Sequence, residues 1–299
     1  MKQGNIQGRD LLYLNKEFAE MTNNLYLCRY IYIVGMKIEN NMTKLQRLAL
    51  TTPRSLVMLS SWLVSQGYPY ELQQRYRKSG WLKTVGIGAM MKAGDRPSLT
   101  GAIAALQQQA GSDIHVGGRS ALEWAGRAHY LPMGFPIITL FVENKSYLPA
   151  WFTSTRWDME MRIYGSSLFR DDTAGLLDYQ DGELTVKISD AARAIMECLS
   201  LCPHRFPLQE AYELMEGVFT FRPDQVQMLL GQCKSVKVKR LFLYFAEKAG
   251  HAWYGDVDAG RIDLGSGTRS LAGEESGVFV PKYQLVLPET LVEDDKDFC

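Results

Sequence analysis

Arginine, lysine and glutamine crowd one short stretch, Tyr70–Ser79, which reads YELQQRYRKS. These are side chains that recognise duplex DNA: a guanidinium forks onto guanine O6 and N7, and a carboxamide pairs with adenine N6 and N7. On a helix, Glu71, Gln73, Arg75, Arg77 and Lys78 are expected to cover the outer face, while Leu72 and Tyr76 lie one turn apart and face the core. Lys78 and Lys83 are placed to grip phosphates and set the register, with Lys83 opening a hairpin that Lys92 closes. Arg54 stands where the first helix of a helix-turn-helix crosses the DNA backbone. An ordinary solvated face explains one such helix. It explains less well why residues 42–94 hold eight lysines and arginines against a single acid, Glu71.

The elements that must position these residues follow from punctuation. Thr52-Pro53 reads as a helix start, and Leu56, Leu59, Leu63 and Val64 recur at helical spacing until Gly67. Tyr68-Pro69 turns the chain into the basic helix, which Gly80 stops. Two short β-like runs, Trp81–Val85 and Gly88–Lys92, flank Gly86-Ile87-Gly88. Helix, tight turn, basic helix and glycine hairpin is the order of a winged helix-turn-helix.

Across all 299 residues, 33 cationic and 33 acidic side chains cancel. Residues 1–41 add one net positive charge and residues 95–134 balance, so residues 135–299 carry an excess of eight acids. A basic module joined to an acidic one points to an anionic partner for the first alone. The 46% apolar and 22% charged composition is that of a globular chain and excludes a disordered, collagen-like or coiled-coil protein. The apolar run Leu25–Met36 is broken by Arg29 and is short of the roughly 20 residues that span a bilayer. Asp10, Glu17 and Glu20 precede it, which argues against a secretory signal. Five cysteines (Cys28, Cys198, Cys202, Cys233 and Cys299) form no disulfide framework, so the expected setting is reduced and cytoplasmic. Cys198 and Cys202 lie one helical turn apart without a second ligand pair, and are read as small buried apolar residues rather than a metal site.

The expected fold class is α+β: a winged helix-turn-helix over residues 42–95, then a mixed α/β, helix-rich domain over residues 96–299 with a helical connector at about 96–134. Residues 1–41 read as an extension, an arm or the product of an alternative start, since Met36 and Met42 also stand as possible first residues. Helices are expected at Ser98–Ala110, near Ser120–Gly126, and at about 190–200, 207–217, 223–233 and 236–250. Strands are expected at Ile137–Val142, Ala150–Thr153 and either side of Asp181-Gly182, with β character again at Val278–Leu287.

A second basic cluster, Lys234, Lys237, Lys239 and Arg240, precedes the apolar stretch Leu241–Ala246. Two readings stand: charged stems around a buried helix face, or an RNA- or partner-binding patch. Enzyme signatures are missing. There is no GxSxG, HExxH or Walker loop, and His115, His129, His204 and His251 are scattered. No cofactor or metal is expected. Trp151, Phe152, Trp157, Tyr164, Trp253 and Tyr254 either fill the core or line an effector pocket, which keeps a ligand-responsive regulator as the alternative.

Several segments in order resemble the AbiEi-type antitoxins of type IV toxin–antitoxin systems. They are Ser235–Trp253 (SVKVKRLFLYFAEKAGHAW), Arg261–Arg269 (RIDLGSGTR), the helix ending Glu213-Leu214-Met215-Glu216-Gly217, Gly126–Pro132 (GRAHYLP) and the region from Met42. The resemblance spans about residues 42–290 and leaves residues 1–41 outside. It implies a bacterial antitoxin whose winged helix binds inverted repeats in its own promoter and represses the operon. It further implies a C-terminal domain that counters a nucleotidyltransferase-like toxin without a stable complex. Carried over, DNA contact falls on Gln73, Arg75, Arg77, Lys78 and Lys83, and the C-terminal task on Lys237, Lys239 and Arg240. An inverted repeat needs two modules, through a weak dimer or two monomers cooperating on DNA.

Overall fold

The computed structural model describes residues 42–126, 136–145, 148–273 and 276–293. The expectations for residues 1–41 and for His129, Cys28 and Cys299 lie outside them. The chain divides into two compact units, Met1–Pro53 and Arg54–Cys299.

In the first unit, helix α1 (Lys44–Thr51) begins with a capping box. The Thr43 hydroxyl accepts from the Gln46 amide, and the Gln46 side chain accepts from the Thr43 amide. Thr52 ends this helix in an extended conformation. Thr52-Pro53 therefore closes a helix instead of opening one, because a residue before proline is held out of the helical region. The second unit starts with Arg54 in a loop. Leu56, Val57, Met58 and Leu59 are buried in succession, so this run is no one-sided helix. It becomes strand β1 (Met58–Leu59), followed by α2 (Ser60–Ser65). Gly67, at φ 83°, lets the chain reverse after α2. Then follow α3 (Tyr70–Lys78), β2 (Leu82–Gly86) and β3 (Ala89–Lys92). The three strands form an antiparallel sheet in the order β1-β3-β2. This arrangement is consistent with a winged helix-turn-helix.

Helix α4 (Leu99–Ala110) is capped by Ser98 and buried from Leu99 to Leu106. Its last turn carries three successive glutamines that bond to two different sheets. Gln109 accepts from the Leu59 amide and donates to the Val57 carbonyl, both at 2.8 Å. Gln107 accepts from the Lys187 amide at 2.8 Å, and Gln108 donates to the Thr185 carbonyl at 2.6 Å. The larger sheet comprises β4 (His115–Val116), β5 (Ile137–Val142), β6 (Glu160–Gly165), β7 (Leu176–Asp181) and β8 (Leu184–Ser189), in the order β6-β5-β4-β8-β7. The β5–β6 and β4–β8 pairs are parallel, and the others antiparallel. Helix α5 (Gly118–Trp124) packs on β5. Ala150–Thr153, expected as a strand, falls in helix α6 (Ala150–Ser154): Pro149 starts it, and Trp151 and Phe152 are both buried where a strand would alternate them.

Helices α7 (Ala191–Leu201), α8 (Leu208–Gly217), α9 (Pro223–Gln232) and α10 (Val236–Lys248) follow. A small sheet of β9 (Arg269–Ser270), β10 (Gly277–Val280) and β11 (Leu285–Pro288), ordered β10-β11-β9, precedes α11 (Glu289–Glu293). The architecture is mixed α/β. Among the described residues no helix is long and apolar enough to cross a membrane.

Candidate nucleic-acid interface

Helix α3 starts after Pro69 and carries Arg75, Arg77 and Lys78 in its last turn, where cations complement the helix dipole. Arg75, Arg77 and Lys78 are exposed, and none forms an ion pair with the described residues. Gln73 departs from expectation. It is only 1% exposed, and its amide is fully engaged. It donates to the Tyr68 carbonyl at 2.8 Å and the Ser60 carbonyl at 3.0 Å, and accepts from the Ser60 hydroxyl. Gln73 therefore braces α3 against the start of α2 and faces no groove. Its exposed neighbour Gln74 stands beside the arginines instead. Successive helix residues turn by about 100°, which puts Gln73 about 60° from the half-buried Tyr76 and Gln74 about 160° away.

The wing lies beyond Trp81. Lys83 donates to the Asp95 carbonyl, and Lys92 approaches the Asp95 carboxylate at 3.9 Å. That carboxylate also accepts from the Ser55 amide at 3.0 Å. Lys83 and Lys92 thus gather around Asp95 at the foot of the hairpin, apart from the arginine arc on α3. At the hairpin tip Ile87 is 98% exposed. Beside the tip a Cβ on Gly86 would lie 2.6 Å from Trp151 Cβ, so glycine is what lets this end of the hairpin close onto α6. Arg54 is exposed, and its amide donates to Glu183 at 3.3 Å.

In the second basic cluster Lys234 is exposed and Lys237 half-buried, but the other two cations are not on a surface. Lys239 and Arg240 are 6% and 2% exposed. Helix α10 is buried over its whole circumference from Val238 to Ala246, which leaves a cation there no route to solvent. Arg240 donates to the carbonyls of Leu264 (2.8 Å), Gly265 (3.2 Å) and Gly267 (2.6 Å), and to the Gln284 carbonyl and side chain. Lys237 donates to the Ser200 and Cys202 carbonyls at the end of α7, at 3.0 and 2.6 Å, where the helix dipole favours a cation. The expectation of an RNA- or partner-binding patch at Lys237, Lys239 and Arg240 is corrected: Lys239 is buried, and Lys237 and Arg240 are engaged by internal carbonyls. Arg240→Met is expected to cost about 2–4 kcal/mol, because several carbonyls lose their donors at once. Arg240→Lys should rescue little, since a point charge lacks the planar fork. Urea unfolding measures both.

A buried polar network has no local signature in the sequence. Glu197 on α7 is 1% exposed and receives four hydrogen bonds: from His115 Nε2 (2.9 Å), the Gly118 amide (2.9 Å), the Ser189 hydroxyl (2.8 Å) and Arg193 Nε (2.8 Å). His115 and Arg193 outweigh the cost of burial and hold this carboxyl down at about 2. A Cβ on Gly117 would lie 2.2 Å from Glu197, so the glycine makes room for the carboxylate.

Trp151, Phe152 and Trp157 pack edge-on and tilted against one another, and Trp253 meets Phe221 edge-on, lies tilted against Phe242 and stacks on His251. Of the six aromatics weighed for a pocket, Tyr164 alone lines a cleft described below. Cys198, Cys202 and Cys233 are buried thiols, and burial pushes Cys202 up to about 12. Among the described residues no group of three or more His, Cys, Asp or Glu is arranged to hold a metal.

Two family models match the chain. One, described as a transcriptional regulator, AbiEi antitoxin of a type IV toxin–antitoxin system, covers residues 136–288. The other, its N-terminal domain, covers residues 41–133. No curated protein matches. Among solved structures the chain is similar to the RV2827C protein from Mycobacterium tuberculosis, at 15% identity and a TM-score of 0.51 over 81% of this chain and 89% of that one. This is a likeness of fold.

Proposed function

Because the chain belongs to the AbiEi antitoxin family of type IV toxin–antitoxin transcriptional regulators, we propose that it represses its own operon by laying α3 in the major groove of inverted repeats in its promoter. The observation that carries this is the exposed arc of Gln74, Arg75, Arg77 and Lys78, with Gln73 bracing the helix from behind. Arg75 and Arg77 read guanines, Gln74 reads an adenine, and Lys78 sits on a phosphate. Arg54 adds a phosphate contact. Lys83 and Lys92 keep the hairpin in place through Asp95 and reach the backbone beside it. One α3 reads one half-site, so two molecules, monomers or a weak dimer, occupy a repeat cooperatively.

The domain division proposed is a DNA-binding module over residues 42–95 and an antitoxin domain over residues 96–299. The second counters a nucleotidyltransferase-like toxin encoded beside it, without a lasting complex, in the cytoplasm. The role is regulatory and assigns no catalytic residue.

Two assays test the reading. In a gel shift, the full-length protein should retard its own promoter and not a scrambled one. On co-expression with the adjacent toxin it should restore growth; growth arrest despite full-length antitoxin sinks that half of the proposal. Gln74→Ala should weaken promoter binding by about 1–3 kcal/mol and relax preference at one A·T pair. A full set of single-base operator variants reads that out.

A further inference from the structure

Over the parallel β5–β6 pair a cleft of about 260 Å³ opens between α5 and the α7–α8 junction. We propose that it binds a nucleoside monophosphate, with Arg162 and Arg205 taking the phosphate and the apolar wall taking the base.

Charge carries the first part. Five charged residues line the cleft. Arg119 is committed, bonding Glu123 at 2.8 Å and also Glu210. Arg162 on β6 and Arg205 after α7 are exposed, and neither forms an ion pair with the described residues. The lining leaves one net positive charge, and Lys145, 5.6 Å from the Tyr164 ring centroid, adds another at the rim. Arg162 from β6 and Arg205 from the α7–α8 junction both border the cleft, and an anion bound beside them offsets their mutual repulsion. Their planar forks suit phosphate oxygens.

Size and chemistry carry the second part. The volume exceeds what an inorganic phosphate fills and approaches the lower end of small-ligand pockets, about 300 Å³. Tyr164 and Phe206 line the same cleft, and the Arg205 guanidinium stands 6.0 Å over the Tyr164 ring. Nucleobases stack on tyrosine rings and on guanidinium planes. The wall on the α5 side is set in advance. The Gly118 amide donates to the buried Glu197, and the Ser120 hydroxyl accepts from the Thr139 amide at 2.9 Å. A Cβ on Gly118 would lie 3.3 Å from Cys198 Sγ, so the helix start sits close against α7. A site already in shape loses little affinity to ordering.

Calorimetric titration of the full-length protein with uridine and adenosine monophosphates, inorganic phosphate and the free nucleosides tests this. At least one monophosphate should bind saturably, about tenfold or more tighter than inorganic phosphate and than its nucleoside. Arg162→Gln with Arg205→Gln should weaken that binding about tenfold or more while leaving the melting midpoint and promoter binding unchanged. Tyr164→Leu should erode the preference for nucleotide over inorganic phosphate. Failure of both monophosphates to bind overturns the proposal. So does equal affinity in the double arginine variant, or equal affinity for inorganic phosphate.

Discussion

Reversing charge at both Arg75 and Arg77 is expected to lower promoter affinity by about 4 kcal/mol, roughly a thousandfold at fixed salt. Each arginine removed takes away a base contact, and each glutamate installed adds repulsion from phosphates. The fold should survive, because both side chains are exposed and ion-paired with none of the described residues. A small loss remains, about 0.3–1 kcal/mol for each acid placed at the end of α3, where the dipole prefers cations. Neutral Arg75→Gln with Arg77→Gln separates the two effects and should retain part of the non-specific binding. Lys78→Ala is the contrast: as a phosphate contact it should weaken all sequences alike and reduce the salt slope by about one. Fluorescence anisotropy across a salt series reads all three. Unchanged affinity in the charge-reversed double variant would falsify the groove assignment of α3.

Glu197→Ala is expected to be the most damaging single substitution, at about 3–5 kcal/mol, because it strands the buried Arg193 guanidinium without its counter-charge. Arg193 has other partners, the carbonyls of Asp172 and Ala174 at 2.7 and 2.6 Å, but these do not neutralise it. The cost also has a pH signature. The carboxyl is lowered in the fold from an ordinary 4.5 to about 2. Its contribution is therefore whole above about pH 4.5 and is lost as pH falls toward about 2. A drop of that size corresponds to roughly 3 kcal/mol. Urea unfolding of the wild type and Glu197→Gln should show a gap that is wide near neutrality and narrows through that acid window. A gap that stays constant with pH would mean that the carboxylate's charge does not support the fold.

The helices and the hairpins were largely legible because local chemistry punctuates them. Ser98 and Asp190 cap their helices, Gly67 and Pro69 bracket the turn into α3, and Gly182 closes the β7–β8 hairpin. Thr52-Pro53 misled because threonine before proline ends a helix as readily as it starts one. β6 escaped because an edge strand carrying Glu160 and Arg162 has no clean apolar alternation. On α3, the polarity of Gln73 disguised its position beside Tyr76, where it is close enough to the core to be buried; helical angle was the better guide. Arg240 and Glu197 were hidden for another reason. Their partners lie 24 to 44 and up to 82 residues away in sequence, so only the closed fold brings donor and acceptor together. Basic character near an apolar run looked like a surface patch, although the acceptors for those cations are backbone carbonyls, which no composition count reveals.

The glutamines at the end of α4 make that helix a splint between two sheets. The Leu59 amide in one and the Lys187 amide in the other are both held by its side chains. Loosening that helix removes a side-chain clasp from both strands at once. Hydrogen–deuterium exchange at these two amides should quicken in parallel whenever α4 is loosened, and severing the chain after α4 would leave the clasp with the first sheet and detach it from the second.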